Sequence, residues 1–192
     1  MATVREGNKG VLLVVDVQVG VMRDAWDAPR VVANVARTVE RARAAGVPVL
    51  WVQQTDEDDL RQGTPDWQWV PELVPAADEV LVLKAFNSSF ERTELDQHLA
   101  RLGATHLVLA GASTNWCIRA TAFGALERGY DLTLVKDAHT TSPMDLGDGR
   151  HLEAEHFVID LNVAIRWLDY PGRTSGTARA VEVDFTRPGG VR

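Results

Sequence analysis

Short, uninterrupted apolar runs alternate along this chain with segments of helical periodicity, and this alternation constrains the fold more than any other feature. The apolar runs predict five buried strands, at 11–15, 47–54, 80–83, 106–110 and 132–135. Helices are predicted at 30–45, from Thr93 to Gly103, at about 116–128 and at about 151–168. Strands that are apolar throughout are typical of a parallel sheet that helices cover on both faces. The sequence therefore predicts an α/β fold.

Nothing in the sequence divides the chain, and we expect a single domain over 1–192. Its 192 residues, 45% of them hydrophobic, are enough for a sizeable core. Residues 55–78, rich in Asp, Gln, Pro and Trp, are predicted to form a loop that is long enough to be functional. From about 171 onward we expect a flexible tail, in which 180–185 could form a short strand.

Charge and cysteine content exclude several classes of function. The net charge is −7 and the isoelectric point is near 5.2, without a basic cluster, which argues against nucleic-acid and anionic-membrane partners. The apolar run at 11–15 is too short for a signal peptide or a membrane span, so we expect a cytoplasmic protein. A single cysteine permits neither an internal disulfide nor a Cys-x-x-Cys pair. The turn after the first strand lacks the glycine-rich loop of dinucleotide-binding domains.

Three reactive side chains follow predicted strands and should meet at one edge of the sheet. Asp16 ends the first strand, Lys84 ends the third, and Cys117 follows the fourth at the start of a helix. Ligands of parallel α/β sheets bind beyond the carboxyl ends of the strands. Free N–H groups and the positive end of the helix dipole favour the thiolate of Cys117. This arrangement predicts an enzyme with a nucleophilic cysteine.

The three residues could share the steps of an acyl transfer. Asp16, desolvated at the end of an apolar strand, would have a raised pKa and accept the thiol proton. Lys84 would supply a positive charge, and the turn before Cys117 would supply N–H donors for the oxyanion. Taken alone, these residues leave a structural interpretation open. A lone cysteine is commonly a buried hydrophobe, and an aspartate after a strand is commonly a turn residue.

Three ordered motifs resemble those of the isochorismatase-like cysteine hydrolases: DVQ at 16–18, Lys84 followed by NSSF at 87–90, and GASTNWCIRATAFGAL at 111–126. The resemblance covers about residues 10–168. It implies a three-layer αβα fold around a six-stranded, mainly parallel sheet. It also implies a catalytic triad of Asp16, Lys84 and Cys117. Finally, it implies a cis peptide bond between Ala112 and Ser113 and an oxyanion hole formed by the N–H groups of Ser113 and Cys117.

The resemblance also narrows the reaction. Family members that cleave a vinyl ether carry a small residue in place of the cysteine, so Cys117 implies hydrolysis of an amide, as in relatives that act on carbamoyl or ureido compounds. The metal-binding Asp-x-His motif of nicotinamidases is missing from 55–62, which implies no metal, and no cofactor is expected. The alternatives are a vinyl-ether hydrolase with Asp16 as general acid, or a non-catalytic binding protein. Relatives commonly form homodimers or homotetramers, and we expect the same here.

Several side chains are candidates for contacts with a small amide substrate: Gln18, Trp26, Phe90, Thr114 and Trp116. The aromatic residues could line the pocket or pack in the core, and Thr114 could instead cap the following helix. His139, after the fifth strand, is interpreted as a structural histidine. Arg119 could bind an anionic substrate or pair with a carboxylate.

Overall fold

The computed structural model describes residues 2–185, which form a six-stranded sheet between helices. The strands of the sheet are β1 (Lys9–Val15), β2 (Val49–Gln54), β3 (Val80–Lys84), β4 (Ala104–Ala112), β5 (Asp131–Thr140) and β8 (Ser175–Ala178). A separate hairpin consists of β6 (Met144–Asp145) and β7 (His151–Leu152). The helices are α1 (Val19–Met22), α2 (Ala28–Ala44), α3 (Leu95–Leu102), α4 (Arg119–Glu127) and α5 (Ala154–Trp167). A π-helical turn, Thr114–Ile118, leads directly into α4.

All six strands of the main sheet run parallel, in the order β3-β2-β1-β4-β5-β8. The predicted α/β fold with a six-stranded, mainly parallel sheet is therefore confirmed. Side chains of β1 alternate between the two faces: Leu12 and Val14 pack with α2, whereas Val11, Leu13 and Val15 pack with α3, α4 and α5. These are the three layers that the resemblance implies. Within residues 2–185, no helix has the length and apolar character that a membrane span requires.

The sixth strand lies earlier in the chain than the sequence predicts. β8 pairs with β5 in the main sheet, so the predicted tail is part of the sheet as far as Ala178. The strand expected at 180–185 is wrong, because the N–H of Val183 donates to the carbonyl of Arg179 at 3.1 Å and closes a turn there. The apolar residues of this segment that drew attention to it, Ala180 and Val183, are buried against the α2 side of the sheet. Residues 186–192, which the predicted tail includes, lie outside the described residues.

The chain leaves β1 towards β2 and β3 on one side and leaves β4 towards β5 and β8 on the other. Such a change of direction opens a crevice at the carboxyl ends of the two central strands, where ligands bind in open parallel sheets. At this point the backbones approach closely. Gly111 pairs with Val15 and has a φ of +129°, and a Cβ added to Gly111 would lie 2.0 Å from the carbonyl oxygen of Val15. Only glycine fits this position.

Replacing Gly111 with alanine should therefore be costly. We expect Gly111→Ala to lower the free energy of unfolding by at least about 3 kcal/mol, because it combines a strained backbone with a backbone clash. The matched control is Gly46→Ala, whose φ is also positive (+66°) but whose added Cβ would have no atom within 4 Å. The control should lose about 1–2 kcal/mol. Denaturant unfolding followed by tryptophan fluorescence measures both, and equal losses would contradict the steric argument.

Candidate active site

The structure brings Asp16, Lys84 and Cys117 together at the crevice. Asp16 directly follows β1, Lys84 is the last residue of β3, and Cys117 lies in the π-helical turn after β4. The Nζ atom of Lys84 lies 2.6 Å from Oδ2 of Asp16 and 3.2 Å from Sγ of Cys117. The ammonium group thus bridges the carboxylate and the thiol. Three strand ends, widely spaced in sequence, supply one cluster.

Burial determines the protonation of this cluster. Asp16 and Lys84 are 1% and 2% exposed, and Cys117 is the most accessible of the three at 9%. Burial raises the pKa of Asp16, an effect that the neighbouring Lys84 only partly offsets. Burial and the Asp16 carboxylate raise the pKa of Cys117 to about 12. The side chain of Cys117 is therefore a thiol at neutral pH. The expectation that the helix terminus favours a thiolate is outweighed by desolvation, which the sequence does not display.

The backbone has unusual geometry at the ends of β1 and β4, next to the reactive side chains. Asp16 has a φ of +52°, in the left-handed region that aspartate tolerates better than most residues. The peptide bond between Ala112 and Ser113 is cis, as the resemblance implies. After it, the carbonyl of Ser113 accepts hydrogen bonds from the N–H groups of Trp116 and Ile118, both at 3.1 Å. These two amides flank that of Cys117, so the turn closes around the residue that carries the thiol.

Two further residues contact the cluster, and the sequence reasoning missed both. The side-chain oxygen of Gln54 accepts a hydrogen bond from Nζ of Lys84 at 2.6 Å. Gln54 ends β2, which lies between β1 and β3, so the argument from strand ends that located Asp16 would have found it. Asn87 is exposed, and its Oδ1 lies 3.9 Å from Sγ of Cys117. It belongs to the NSSF motif, where no reactive side chain drew attention to it.

Gln18, predicted to bind substrate, has every hydrogen-bonding atom occupied by the protein. Its Nε2 donates to the carbonyls of Gln54 at 3.1 Å and Trp67 at 2.9 Å, and its Oε1 accepts from the N–H of Gln54 at 3.0 Å. The side chain is fully buried. Gln18 therefore holds the end of β2, whose last side chain contacts Lys84.

The predicted aromatic contacts are divided between core and surface. Phe90 is buried and stacks on Tyr130, with ring centroids 6.1 Å apart, so it belongs to the core. Trp26 is partly buried, and its backbone N–H donates to the carbonyl of Thr141 at 2.9 Å. Trp116, one residue before Cys117, is 51% exposed. Among the aromatic candidates it is the one that adjoins the thiol and is open to a ligand.

The remaining candidates have protein partners. Arg119 forms an ion pair with Asp160 on α5. Of its two predicted roles, binding an anionic substrate or pairing with a carboxylate, this is the second. Thr114 is buried, and its Oγ1 lies 2.8 Å from Nδ1 of His139. His139 is itself buried, and desolvation lowers its pKa to about 4, as befits a neutral structural histidine. Among residues 2–185, no group of three or more His, Cys, Asp or Glu side chains is placed to hold a metal ion.

A cavity of about 430 Å³ is lined by Ser113, which directly precedes the π-helical turn of Cys117. The loop 55–78 forms part of its wall, together with residues at and after α1. The charged side chains that line the cavity are Arg23, Asp56, Asp59 and Asp66, of which Arg23 and Asp66 form an ion pair. The long loop thus contributes four residues, Asp56, Asp59, Leu60 and Asp66, to the wall of this cavity.

Curated relatives of the chain include two named hydrolases. The chain is 35% identical over 144 residues to a streptothricin hydrolase of Streptomyces noursei, a match that covers 72% of this chain and 57% of that protein. It is 30% identical over 148 residues to the ureidoacrylate amidohydrolase RutB of Methylobacterium radiotolerans, with 60% of this chain and 57% of that protein covered. The matched part is thus somewhat more than half the length of each relative.

Solved structures share the fold. The N-carbamoylsarcosine amidase of Thermoplasma acidophilum superposes with a TM-score of 0.71 at 24% identity, over 92% of this chain and 99% of that one. A cysteine hydrolase of Pseudomonas syringae superposes with a TM-score of 0.79 at 21% identity, over 90% and 89%. The sequence model of the isochorismatase domain matches residues 10–159, most of the chain. The protein therefore belongs to the isochorismatase family.

Proposed function

We propose that this protein is a metal-independent cysteine amidohydrolase that cleaves the C–N bond of a small amide through a thioester. The observation that carries the proposal is the position of Lys84 Nζ, within 3.2 Å of both the Asp16 carboxylate and the Cys117 thiol. A nucleophile, a base and a fixed positive charge in mutual contact are the groups that covalent acyl transfer requires. The named relatives, a streptothricin hydrolase and a ureidoacrylate amidohydrolase, support the same class of reaction.

The proposed reaction has two halves. In the first, the thiol proton of Cys117 passes to Asp16 while Sγ forms a bond to the amide carbonyl carbon. The resulting oxyanion is held by the N–H groups of Ser113 and Cys117. Asp16 returns the proton to the leaving nitrogen as the C–N bond breaks, which leaves a thioester. In the second half, Asp16 accepts a proton from water as the oxygen attacks the thioester carbonyl. The C–S bond then breaks with release of the acid, and Asp16 returns the proton to Sγ, which regenerates the thiol and the carboxylate.

The proton transfers assign a role to each member of the cluster. A thiol whose pKa is raised to about 12 needs a nearby acceptor, and the raised pKa of Asp16 makes this carboxylate a stronger one. Lys84 stays beside both groups and offsets the negative charge that moves between them. Gln54 and the carbonyl of Phe86, 3.3 Å from Nζ, hold the ammonium in place.

The proposal is tested by the release of ammonia or amine from a panel of small carboxamides and ureido acids. We expect turnover of at least one member and trapping of a thioester on Cys117 when the reaction is quenched in acid, detected by intact-protein mass spectrometry. Turnover without any covalent adduct, in a quench that preserves a synthetic thioester, would contradict the two-step reaction.

A lone cysteine kept as a thiol suits a reducing compartment, and we propose that the reaction takes place in the cytoplasm.

Acid pH should inactivate the enzyme through Asp16. The carboxylate form accepts the thiol proton, so activity is present above the pKa of Asp16 and is lost as the pH falls through it. Because burial raises this pKa above the ordinary value of 3.8, the loss is expected at a higher pH than for an exposed aspartate. The measurement is kcat/KM against pH for an uncharged amide, with tryptophan fluorescence confirming the fold at each pH. A profile that is flat down to 3.8 would exclude Asp16 as the base.

An apolar stripe on α5 supports the expected homo-oligomer. Ile159, Val163 and Trp167 recur every four residues and are 52%, 50% and 79% exposed. We propose that this stripe is covered by a second copy of the chain. Val163→Glu should then yield monomers in size-exclusion chromatography with light scattering, whereas the control Val181→Glu, at a position equally exposed but outside the stripe, should not. Identical masses for the two variants would contradict this interface.

A further inference from the structure

A series of hydrogen bonds, buried at His139 and Thr114 and partly buried at Asn162, connects β5 and α5 to the turn that carries Cys117. Nδ2 of Asn162 donates to the carbonyl of Lys136 at 3.0 Å. Oδ1 of Asn162 lies 3.1 Å from Nε2 of His139, and Nδ1 of His139 lies 2.8 Å from Oγ1 of Thr114. Thr114 is the first residue of the π-helical turn, three positions before Cys117. The series therefore ends at the backbone that places the thiol.

The direction of each hydrogen bond follows from the first. Because the amide nitrogen of Asn162 donates to a carbonyl, its oxygen faces His139 as an acceptor, so Nε2 of His139 must carry the hydrogen. His139 is 1% exposed and neutral at physiological pH, since burial lowers its pKa to about 4. In a neutral imidazole the other nitrogen is an acceptor. The hydroxyl of Thr114 thus donates to Nδ1, and its orientation is determined.

An irregularity in the sheet gives His139 this position. Leu109 of β4 pairs with Leu134 of β5, but two residues later Gly111 pairs with His139, so β5 carries extra residues between these two pairs. The bulge places the imidazole beside the end of β4, within reach of both the π-helical turn and α5. Bulges of this kind re-aim single side chains next to active sites. Without these extra residues in β5, His139 would not lie opposite Gly111, the residue of β4 that pairs with Val15 of β1.

We propose that His139 is a positioning residue for the reaction. Its Nδ1 holds the Thr114 hydroxyl and so fixes the start of the turn that presents Cys117 Sγ to Lys84 and to the substrate. His139 has no contact with the reacting atoms and transfers no proton. This inference rests on the proposed amide hydrolysis for its kinetic consequence, but the hydrogen bonds themselves can be tested without a substrate.

The kinetic test compares two substitutions at one position. His139→Asn keeps an acceptor near the place of Nδ1 and loses the contact with Asn162, whereas His139→Leu loses both. Since a displacement of about 1 Å can cost 100-fold in rate, we expect His139→Leu to lower kcat about 100-fold with KM within about threefold of wild type. His139→Asn should retain at least about ten times the kcat of His139→Leu. Rates are expressed per folded molecule, from thermal unfolding curves.

Two kinetic results would overturn the inference. The first is a wild-type kcat per folded molecule in His139→Leu, which would leave the histidine a purely structural role. The second is an equal kcat in the leucine and asparagine variants, which would mean that the acceptor for Thr114 has no part in catalysis. A change in KM alone would also contradict positioning of the nucleophile.

The tautomer of His139 can be measured by nuclear magnetic resonance without a substrate. In two-bond proton–nitrogen spectra of the wild type, His139 should show a protonated Nε2 and an unprotonated Nδ1, assigned among the 5 histidines by comparison with His139→Asn. Asn162→Leu should weaken this preference for one tautomer, since it removes the acceptor for Nε2–H. An Nδ1–H tautomer in the wild type would overturn the inference. Failure of the wild type to hydrolyse any amide, with the expected tautomer present, would instead reject the proposed reaction.

Discussion

Replacement of Cys117 with alanine is expected to lower the rate of amide hydrolysis on the order of 10⁴- to 10⁶-fold, the loss seen when the nucleophile of a covalent hydrolase is removed. The attack on the carbonyl needs the thiol sulfur, and no second cysteine can substitute for it. The substitution removes only Sγ, from the most accessible member of the cluster, so the variant should fold. The measurement is amine release by wild type and variant at matched folded concentration.

Cys117→Ser is the companion variant, because it keeps a hydrogen-bonding group next to Lys84 but offers a far weaker nucleophile. It should be nearly as inactive as Cys117→Ala. The alternative reaction, cleavage of a vinyl ether with Asp16 as general acid, predicts the opposite. Turnover of a vinyl-ether substrate that survives in both Cys117 variants would reject the thioester route and favour that alternative.

Asp16→Asn should lower both activity and stability. Loss of the base is expected to reduce kcat about 10²- to 10⁴-fold. The same change leaves Lys84, 2% exposed, without its carboxylate partner, and breaking one half of a buried ion pair costs about 3–5 kcal/mol of unfolding free energy. Both effects are measurable in one preparation, by steady-state kinetics and by denaturant unfolding at neutral pH.

Two matched variants separate these effects. Asp16→Asn combined with Lys84→Met removes both charges and should recover part of the lost stability without recovering activity. Asp160→Asn removes a carboxylate from the exposed pair with Arg119, and its effect on stability should stay below about 1 kcal/mol. If Asp16→Asn were as stable as Asp160→Asn, the buried pair would not carry the stability assigned to it.

The site could be located from the sequence because strand ends meet at one edge of a parallel sheet. Asp16, Lys84 and Cys117 each follow a continuous apolar run, and topology alone brings such positions together. The same rule applies to Gln54, at the end of β2, but an amide has no reactive chemistry to single it out. The position of strand ends therefore predicts which residues lie near the site. Which of them react must be judged from the chemistry of their side chains.

Other features depend on tertiary structure and could not be predicted. β8 has the sequence Ser-Gly-Thr-Ala, which carries no apolar signal, and it forms a strand because the edge of β5 pairs with it. Phe90 is a candidate for the pocket because its segment could close over the site, yet it stacks on Tyr130 in the core. The raised pKa of Cys117 follows from desolvation, which requires the packed structure.

The contact between Val15 and Gly111 has a consequence for how this scaffold can be varied. Asp16 and Cys117 follow two strands whose backbones touch at that contact, so the main-chain hydrogen bonds between β1 and β4 limit how far the two side chains can move apart. Libraries that diversify the loop 55–78 can thus change which molecules are accepted, while the two central strands keep the proposed reacting groups at the same spacing. Substrate choice can evolve in the loop because the sheet does not have to change with it.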